Sequence, residues 1–479
     1  MLISLGFQKL TKDIGWLSAS TIIAQACAFL LIPIITKNLG AYGYGLWSQV
    51  LITLSLISMI SELGLGPALV RFLPPVLDKK DISNIVYSVT ATVLLINVVV
   101  ALILFTISPI ISEMLFDNHL DLVWLIVFTL PIYCINGVYL SVLRAERKIL
   151  AFSFFNSLRT ILLLIFVLLL VLITQMLSLI ITGILIVELL IFTFLTIYLL
   201  MSYPIGKLNL DSIKPMLLFG IPLIPSSIVW WLVASSDRYM ITYFLGIPAA
   251  GVYSVGYGLG ILIQTLVMPI DMAVTPALAK LFDNNDYDNV KLYLQNSIHL
   301  YLLFAIPAFF GLSVLSHPIL LIMSTSEIAS GAYLITPIVA AGAFCWGCYN
   351  FLVKSLILEK RTPLLASVWS IAAILNIVLN IIIIPIWGII GAAATTFLAY
   401  FIVMLIGVAI SRKTLPFRLN WSFIFKCLIS SIVMSIILAL IKPVGIIGII
   451  ASTVIGICIY FCLLVILRGQ LRNIMFFSS

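Results

Sequence analysis

The residues with the most chemistry to offer are an adjacent acid and base, Asp237 and Arg238, inside the run Ser235-Ser236-Asp237-Arg238-Tyr239. The sequence on either side is apolar, and an ionised pair kept in such a run is by default a sign of function. The ~100° step between helical neighbours predicts that Asp237 and Arg238 face different ways, leaving Asp237 to bond another helix or to titrate. Two further charges, Arg159 and Glu188, also stand inside apolar runs. Counted at ~1.5 Å per residue, they lie about 12 Å and about 18 Å from the same boundary. Their runs are joined by a short turn, so the two side chains are predicted to meet as an ion pair. That pair is structural, or else Arg159 faces a substrate path and Glu188 titrates.

Other reactive-looking residues read more blandly. Cys345-Trp346-Gly347-Cys348 has redox spacing but lies in an apolar run, where small buried residues are the simpler account. Asp283, Asp286 and Asp288 lack the glycine and distal glutamate of a calcium loop. His119, His299 and His317 are scattered. No metal site, cofactor site or catalytic triad is expected.

The elements that must position these charges are membrane spans. The chain has 479 residues, 63% of them hydrophobic and 9% charged, against about 25% charged in a soluble globule. Fourteen apolar runs long enough for a ~30 Å hydrocarbon core lie near 14–38, 44–66, 84–110, 120–142, 151–173, 178–201, 215–245, 249–273, 292–315, 331–353, 363–384, 388–410, 421–441 and 444–467. The fold class is therefore an all-α polytopic membrane protein. The first run is too long for a signal peptide and is read as an uncleaved span. With the N-terminus inside, 21 of the 25 Lys and Arg residues fall on the cytoplasmic side, as the positive-inside rule requires. Lys37, Arg238 and Lys442 fall toward the outside, and Arg159 lies within a span. Both termini are placed in the cytoplasm, in a plasma (inner) membrane. The net charge of +8 is spread between spans, so no nucleic-acid partner is expected.

The chain repeats itself. Leu39-Gly40, Gly45 and Ser48 match Leu245-Gly246, Gly251 and Ser254 at an offset of 206. Pro67-Ala68-Leu69-Val70-Arg71 matches Pro276-Ala277-Leu278-Ala279-Lys280 at 209, and Glu146-Arg147-Lys148 matches Glu359-Lys360-Arg361 at 213. Two homologous six-helix lobes follow, 1–205 and 206–412, with two additional spans in 413–479. Six is even, so the lobes share an orientation, the parallel-repeat plan of several transporters.

Three stretches resemble a known family. They are Leu39-Gly40 with Tyr44-Gly45 and Glu62-Leu63-Gly64; Asp237-Arg238 with Leu245-Gly246 and Gly251-Val252-Tyr253-Ser254-Val255; and Leu375-Asn376-Ile377-Val378-Leu379-Asn380 with Ile384-Pro385 and Gly388-Ile389-Ile390-Gly391. Together they are similar to the polysaccharide-transporter branch of the multidrug/oligosaccharidyl-lipid/polysaccharide exporter superfamily. The resemblance implies a Wzx-type flippase for polyprenyl-diphosphate-linked oligosaccharides of O-antigen, capsule or exopolysaccharide. Its partners would be that lipid-linked sugar, membrane lipids and other polysaccharide assembly proteins.

The resemblance also implies a central cavity lined by spans 1, 2, 7 and 8. Those spans carry Gln25, Gln49, Trp230, Trp231, Ser235, Ser236, Tyr253, Tyr257, Gln264 and Asp271. Arg238 is the leading diphosphate ligand, since guanidinium matches phosphate oxygens in pairs; the alternative is that it snorkels to the outer interface. Arg71 and Lys280 mark equivalent cytoplasmic ends, as an entrance or as solvated anchors. Asn376 and Asn380 share a helix face, as interhelical glue or as sugar ligands. Lobe rocking with alternating access is the expected mechanism. The alternatives are a lipid II flippase or a cation-coupled multidrug exporter of the same superfamily. A membrane enzyme would need a sizeable outer loop, which the sequence lacks.

Overall fold

The computed structural model describes residues 2–76, 78–359 and 361–467. Lys360 of the third repeat anchor and Arg468 and Arg472 of the charge count lie outside the described residues, as does the side chain of Lys9.

Every regular element among the described residues is a helix. In order, the helices are α1 (Leu2–Ser61), α2 (Leu65–Phe72), α3 (Lys79–Thr106), α4 (Ser108–Leu115), α5 (Leu120–Ala145), α6 (Ile149–Ile173), α7 (Leu177–Ser202), α8 (Ile213–Gly220) and α9 (Ile224–Leu245). There follow α10 (Ile247–Gly260), α11 (Val267–Asp283), α12 (Tyr287–Met323), α13 (Ser326–Ala332), α14 (Ile335–Leu352), α15 (Lys354–Leu358), α16 (Thr362–Thr414), α17 (Trp421–Ile441) and α18 (Gly445–Ile466).

Among the described residues, twelve helical stretches are long and apolar enough to cross a membrane. Two of them each carry two of the expected spans. Helix α1 kinks at Gly40 (φ 67°) and α16 at Gly388 (φ 60°), where only glycine accepts a positive φ without a Cβ penalty. Opening those two kinks recovers the fourteen expected runs. The chain is a polytopic helical membrane protein.

The chain packs as two compact units. The first comprises 1–231 with Gly246–Gly251, the second Leu232–Leu245 with 252–479. These units are defined by packing, whereas the repeat halves 1–205 and 206–412 are defined by sequence.

In the first unit α1 packs on α6, α5 on α3 and α7, and α2 on both α5 and α8. The α2–α8 approach is backbone on backbone: a Cβ on Gly220 would lie 2.6 Å from the Leu63 carbonyl oxygen. Leu46, Leu65, Leu69, Val93, Leu130 and Val138 fill this core. A polar clasp closes one end. Lys148 donates to the Tyr203 hydroxyl at 2.7 Å, and Tyr203 in turn donates to Glu146. Burial, reinforced by the bond to Glu146, pushes the Tyr203 hydroxyl up to about 12.

In the second unit α14 packs on α12 and α16, and α17 joins α12 to α18. Glycines again set the approach. A Cβ on Gly256 or Gly260 would lie 2.7 Å from the carbonyl of Ala332 or Thr336 on the α13–α14 side, and Thr336 donates to the Gly256 carbonyl at 3.1 Å. Close helix contact through small residues is how spans associate when lipid offers no hydrophobic drive. Many other large apolar side chains point outward, Ile173 in the first unit and Ile447 in the second being among the most exposed residues.

Candidate functional site

The adjacent charges Asp237 and Arg238 sit on α9, in the second unit, and both are buried. The expectation that they diverge is corrected: Arg238 Nη1 lies 3.3 Å from Asp237 Oδ1. The ~100° step fixes the Cβ atoms, but the arginine side chain is long enough to fold back along its own helix. It reaches the Ala234 carbonyl one turn earlier, at 3.0 Å. The Arg238 guanidinium rests over the Tyr257 ring at 4.3 Å and near the Tyr253 ring at 5.8 Å. Arg238 is thus drawn inward rather than extended toward an interface.

Asp237 does bond other helices, as the sequence suggested. The Tyr253 hydroxyl of α10 donates to Oδ2, and Thr396 of α16 donates to the same oxygen at 3.5 Å. The network continues along α16. Asn376 donates to Thr396 at 3.4 Å, Asn380 to Asn376 at 3.1 Å, and Thr395 to Asn380. Asn376 and Asn380 therefore tie the halves of α16 together across the Gly388 kink. Tyr400 lies within hydrogen-bonding reach of both Tyr257 and Gln264. Four of the residues singled out by sequence, Arg238, Tyr253, Tyr257 and Gln264, thus join one network with Asp237. A carboxylate that already has three partners can release one without becoming bare, and a guanidinium stacked on a ring keeps its charge in a dry site.

Asp271 pairs instead with the buried Lys354, which also donates to Thr275 at 3.2 Å. Lys280 is exposed in the last turn of α11.

Of the other sequence-selected residues, Ser235 and Ser236 lie on α9 in the second unit and the rest in the first. Gln25 is exposed on α1 and Gln49 is buried. Trp231 is buried, its indole donating to Ser55 at 2.9 Å, while Trp230 beside it is exposed. Arg71 is exposed and stacks over the Phe219 ring at 4.7 Å.

The predicted Arg159–Glu188 pair is present. Arg159 Nε donates to Glu188 Oε1 at 2.7 Å, with a second guanidinium nitrogen at 2.5 Å. Asn136 on α5 donates to the other carboxylate oxygen at 2.8 Å and to the Glu188 carbonyl at 2.9 Å. The guanidinium also covers the Tyr133 ring at 4.6 Å. Three helices are thereby fastened by one pair.

Sequence reasoning missed Tyr133, Asn136, Lys354, Thr396 and Tyr400 as members of these networks. Glu62, noted only as part of a motif, proves to lie beside two glycines: a Cβ at Gly137 would be 2.7 Å from its Oε1. The repeat held a signal for it, since Glu62 and Asp271 each precede the Pro-Ala-Leu anchor by five residues.

Comparison with known proteins places this geometry. The family model described as "Polysaccharide biosynthesis protein" matches residues 10–282, and a second model, MatE, matches 222–382. The probable low-salt glycan biosynthesis flippase Agl15 of Haloferax volcanii is 26% identical over 210 residues, 44% of each chain. The probable lipid II flippase MurJ of Rickettsia prowazekii is 28% identical over 179 residues, 35% of this chain and 34% of that one. The matches thus span less than half the length of these relatives. Among solved structures, a lipid II flippase MurJ in an inward closed conformation superposes with a TM-score of 0.77 at 19% identity, covering 93% of this chain and 97% of that one. A transporter of the MOP superfamily from Pyrococcus furiosus reaches 0.60 at 12% identity, covering 84% and 95%. The fold is that of these transporters, and the chain belongs to the polysaccharide biosynthesis protein family, in the multidrug/oligosaccharidyl-lipid/polysaccharide exporter superfamily.

Proposed function

We propose that this protein is a flippase moving polyprenyl-diphosphate-linked oligosaccharides across the plasma membrane by alternating access, with both termini in the cytoplasm. The observation that carries the reading is Arg238, a guanidinium kept inside a membrane span, stacked on Tyr257 and held to Asp237 through Nη1. A diphosphate offers paired oxygens to that fork and competes with the carboxylate for it. When Arg238 turns to phosphate, Asp237 keeps its bonds from Tyr253 and Thr396, so the exchange strands no bare charge. Tyr253, Tyr257 and Gln264 supply the aromatic and amide surface that a sugar needs. Relatives described as glycan and lipid II flippases support the cargo class.

A second reading, lipid II, is favoured by the likeness to the MurJ structure. The two are separated by one experiment. Purified protein in liposomes is given either a fluorescent short-chain polyprenyl-diphosphate oligosaccharide or fluorescent lipid II, and flipping is read by membrane-impermeant quenching. Faster quenching protection of the oligosaccharide supports the first reading. Movement of lipid II alone supports the second, and movement of neither rejects both.

A further inference from the structure

The internal repeat makes Gly45 equivalent to Gly251 and Ala41 equivalent to Ile247, each pair 206 residues apart. In the first unit these four residues meet each other crosswise. A Cβ on Gly45 would press on the Ile247 carbonyl and lie 2.7 Å from its Cγ2. A Cβ on Gly251 would press on the Ala41 carbonyl and lie 3.0 Å from the Gly45 nitrogen. So residue 45 faces 247, and its copy 251 faces 41, the copy of 247. That reciprocity is the signature of an isologous contact about a two-fold axis, here relating two parts of one chain.

The backbones agree. Each crossing segment starts from a glycine at positive φ, Gly40 at 67° and Gly246 at 84°, and each presents its contact residues four apart, the spacing of close helix crossings in membranes. The crossing lies at the helix ends remote from the loops rich in Lys and Arg. The two copies differ in one respect. Tyr42 donates to Asp117 at 2.9 Å and lies 3.1 Å from His119, which pins the first copy to the α4–α5 turn. The equivalent position in the second copy is Pro248, whose ring carries no hydrogen-bonding group to pin it.

We infer that this reciprocal glycine crossing is the gate that shuts the transport path at the end remote from the basic loops, and that it opens by withdrawal of 246–251 about Gly246. The inference rests on the alternating-access reading. A contact made mostly of backbone suits a gate, because closing it immobilises little side chain beyond the short, branched Ile247.

The test uses the full-length protein in liposomes with its seven cysteines replaced. Spin labels are placed at Lys37 and Tyr243, repeat-equivalent exposed positions three residues before the two glycines. Gly45→Leu and Gly251→Leu are each expected to lengthen the label-to-label distance by several Å and to abolish flipping. Gly45→Ala and Gly251→Ala, which stay closer to the native fold, should shift the same distance less but in the same direction. Gly15→Leu, where a Cβ would meet nothing within 4 Å, should change neither. Unchanged distances in the alanine and leucine variants overturn the gate, and a response at only one of the two glycines overturns its reciprocity. Lengthening at both, where the parent protein without these substitutions flips no lipid-linked oligosaccharide, supports the gate while rejecting the cargo.

Discussion

Asp237 and Arg238, adjacent in sequence, are each other's counter-ion, with Nη1 and Oδ1 3.3 Å apart on a carboxylate shut off from solvent. Removing the arginine leaves Asp237 hydrogen-bonded to Tyr253 and Thr396 but without a counter-ion, and breaking a buried pair on one side costs up to about 3–5 kcal/mol, whereas removing both members costs far less. The arginine therefore has two separable duties, and its variants should separate them.

Arg238→Ala should abolish flipping and also lower the melting temperature in detergent, because Asp237 loses its cation. Combining it with Asp237→Asn should restore the melting temperature without restoring transport. Arg238→Lys should keep the fold and recover transport only in part, since an ammonium lacks the paired geometry. Full transport by Arg238→Ala would remove the diphosphate role.

Arg159→Leu or Glu188→Leu alone should reduce the yield of monodisperse protein, read by fluorescence-detected size exclusion. The double variant should recover much of it, because Asn136 keeps the Glu188 backbone carbonyl as an acceptor. Normal yield from both single variants would mean that the pair carries no folding load. A well-expressed double variant that fails to transport would assign Arg159 to the substrate path.

Asp271→Asn should destabilise the second unit, though by less than the about 3–5 kcal/mol of a fully buried pair, since the buried Lys354 loses this carboxylate while keeping Thr275 and the Asp271 side chain is 38% exposed. Lys354→Met in the same chain should bring the melting temperature back toward that of the parent protein. Hydrogen exchange should localise the effect to α11 and α15.

Gln264→Cys should react with a polar maleimide at a rate that changes when lipid-linked oligosaccharide is added, because the residue is only partly buried beside the Tyr400–Tyr257 pair. A rate indifferent to cargo would take the site off the path.

Much of this architecture was legible in the sequence because bilayer thickness dictates span length. Gly40 and Gly388 were visible as motif residues, but not as the points at which a single residue kinks a continuous helix. Arg159 and Glu188 were found by height alone, which works when the two helices are joined by a short turn. Tyr133 and Asn136 were not, because height says nothing about which third helix lies alongside. Asp237 and Arg238 were misjudged because helical geometry governs where a side chain starts, not where four methylene-length bonds let it end. Thr396 and Tyr400 looked like ordinary members of an apolar span until packing gave them a carboxylate and a ring to face.

The interleaving of the two units has a consequence for how the molecule is made. The first unit needs residues 246–251, which leave the ribosome only after 232–245, a stretch that belongs to the second. No point in synthesis exists at which the first unit is finished and the second not yet begun. A chain released at residue 231 would bear a backbone surface around Ala41 and Gly45 shaped for a partner that never arrives, so quality-control proteases should clear it faster than the length of its folded portion suggests.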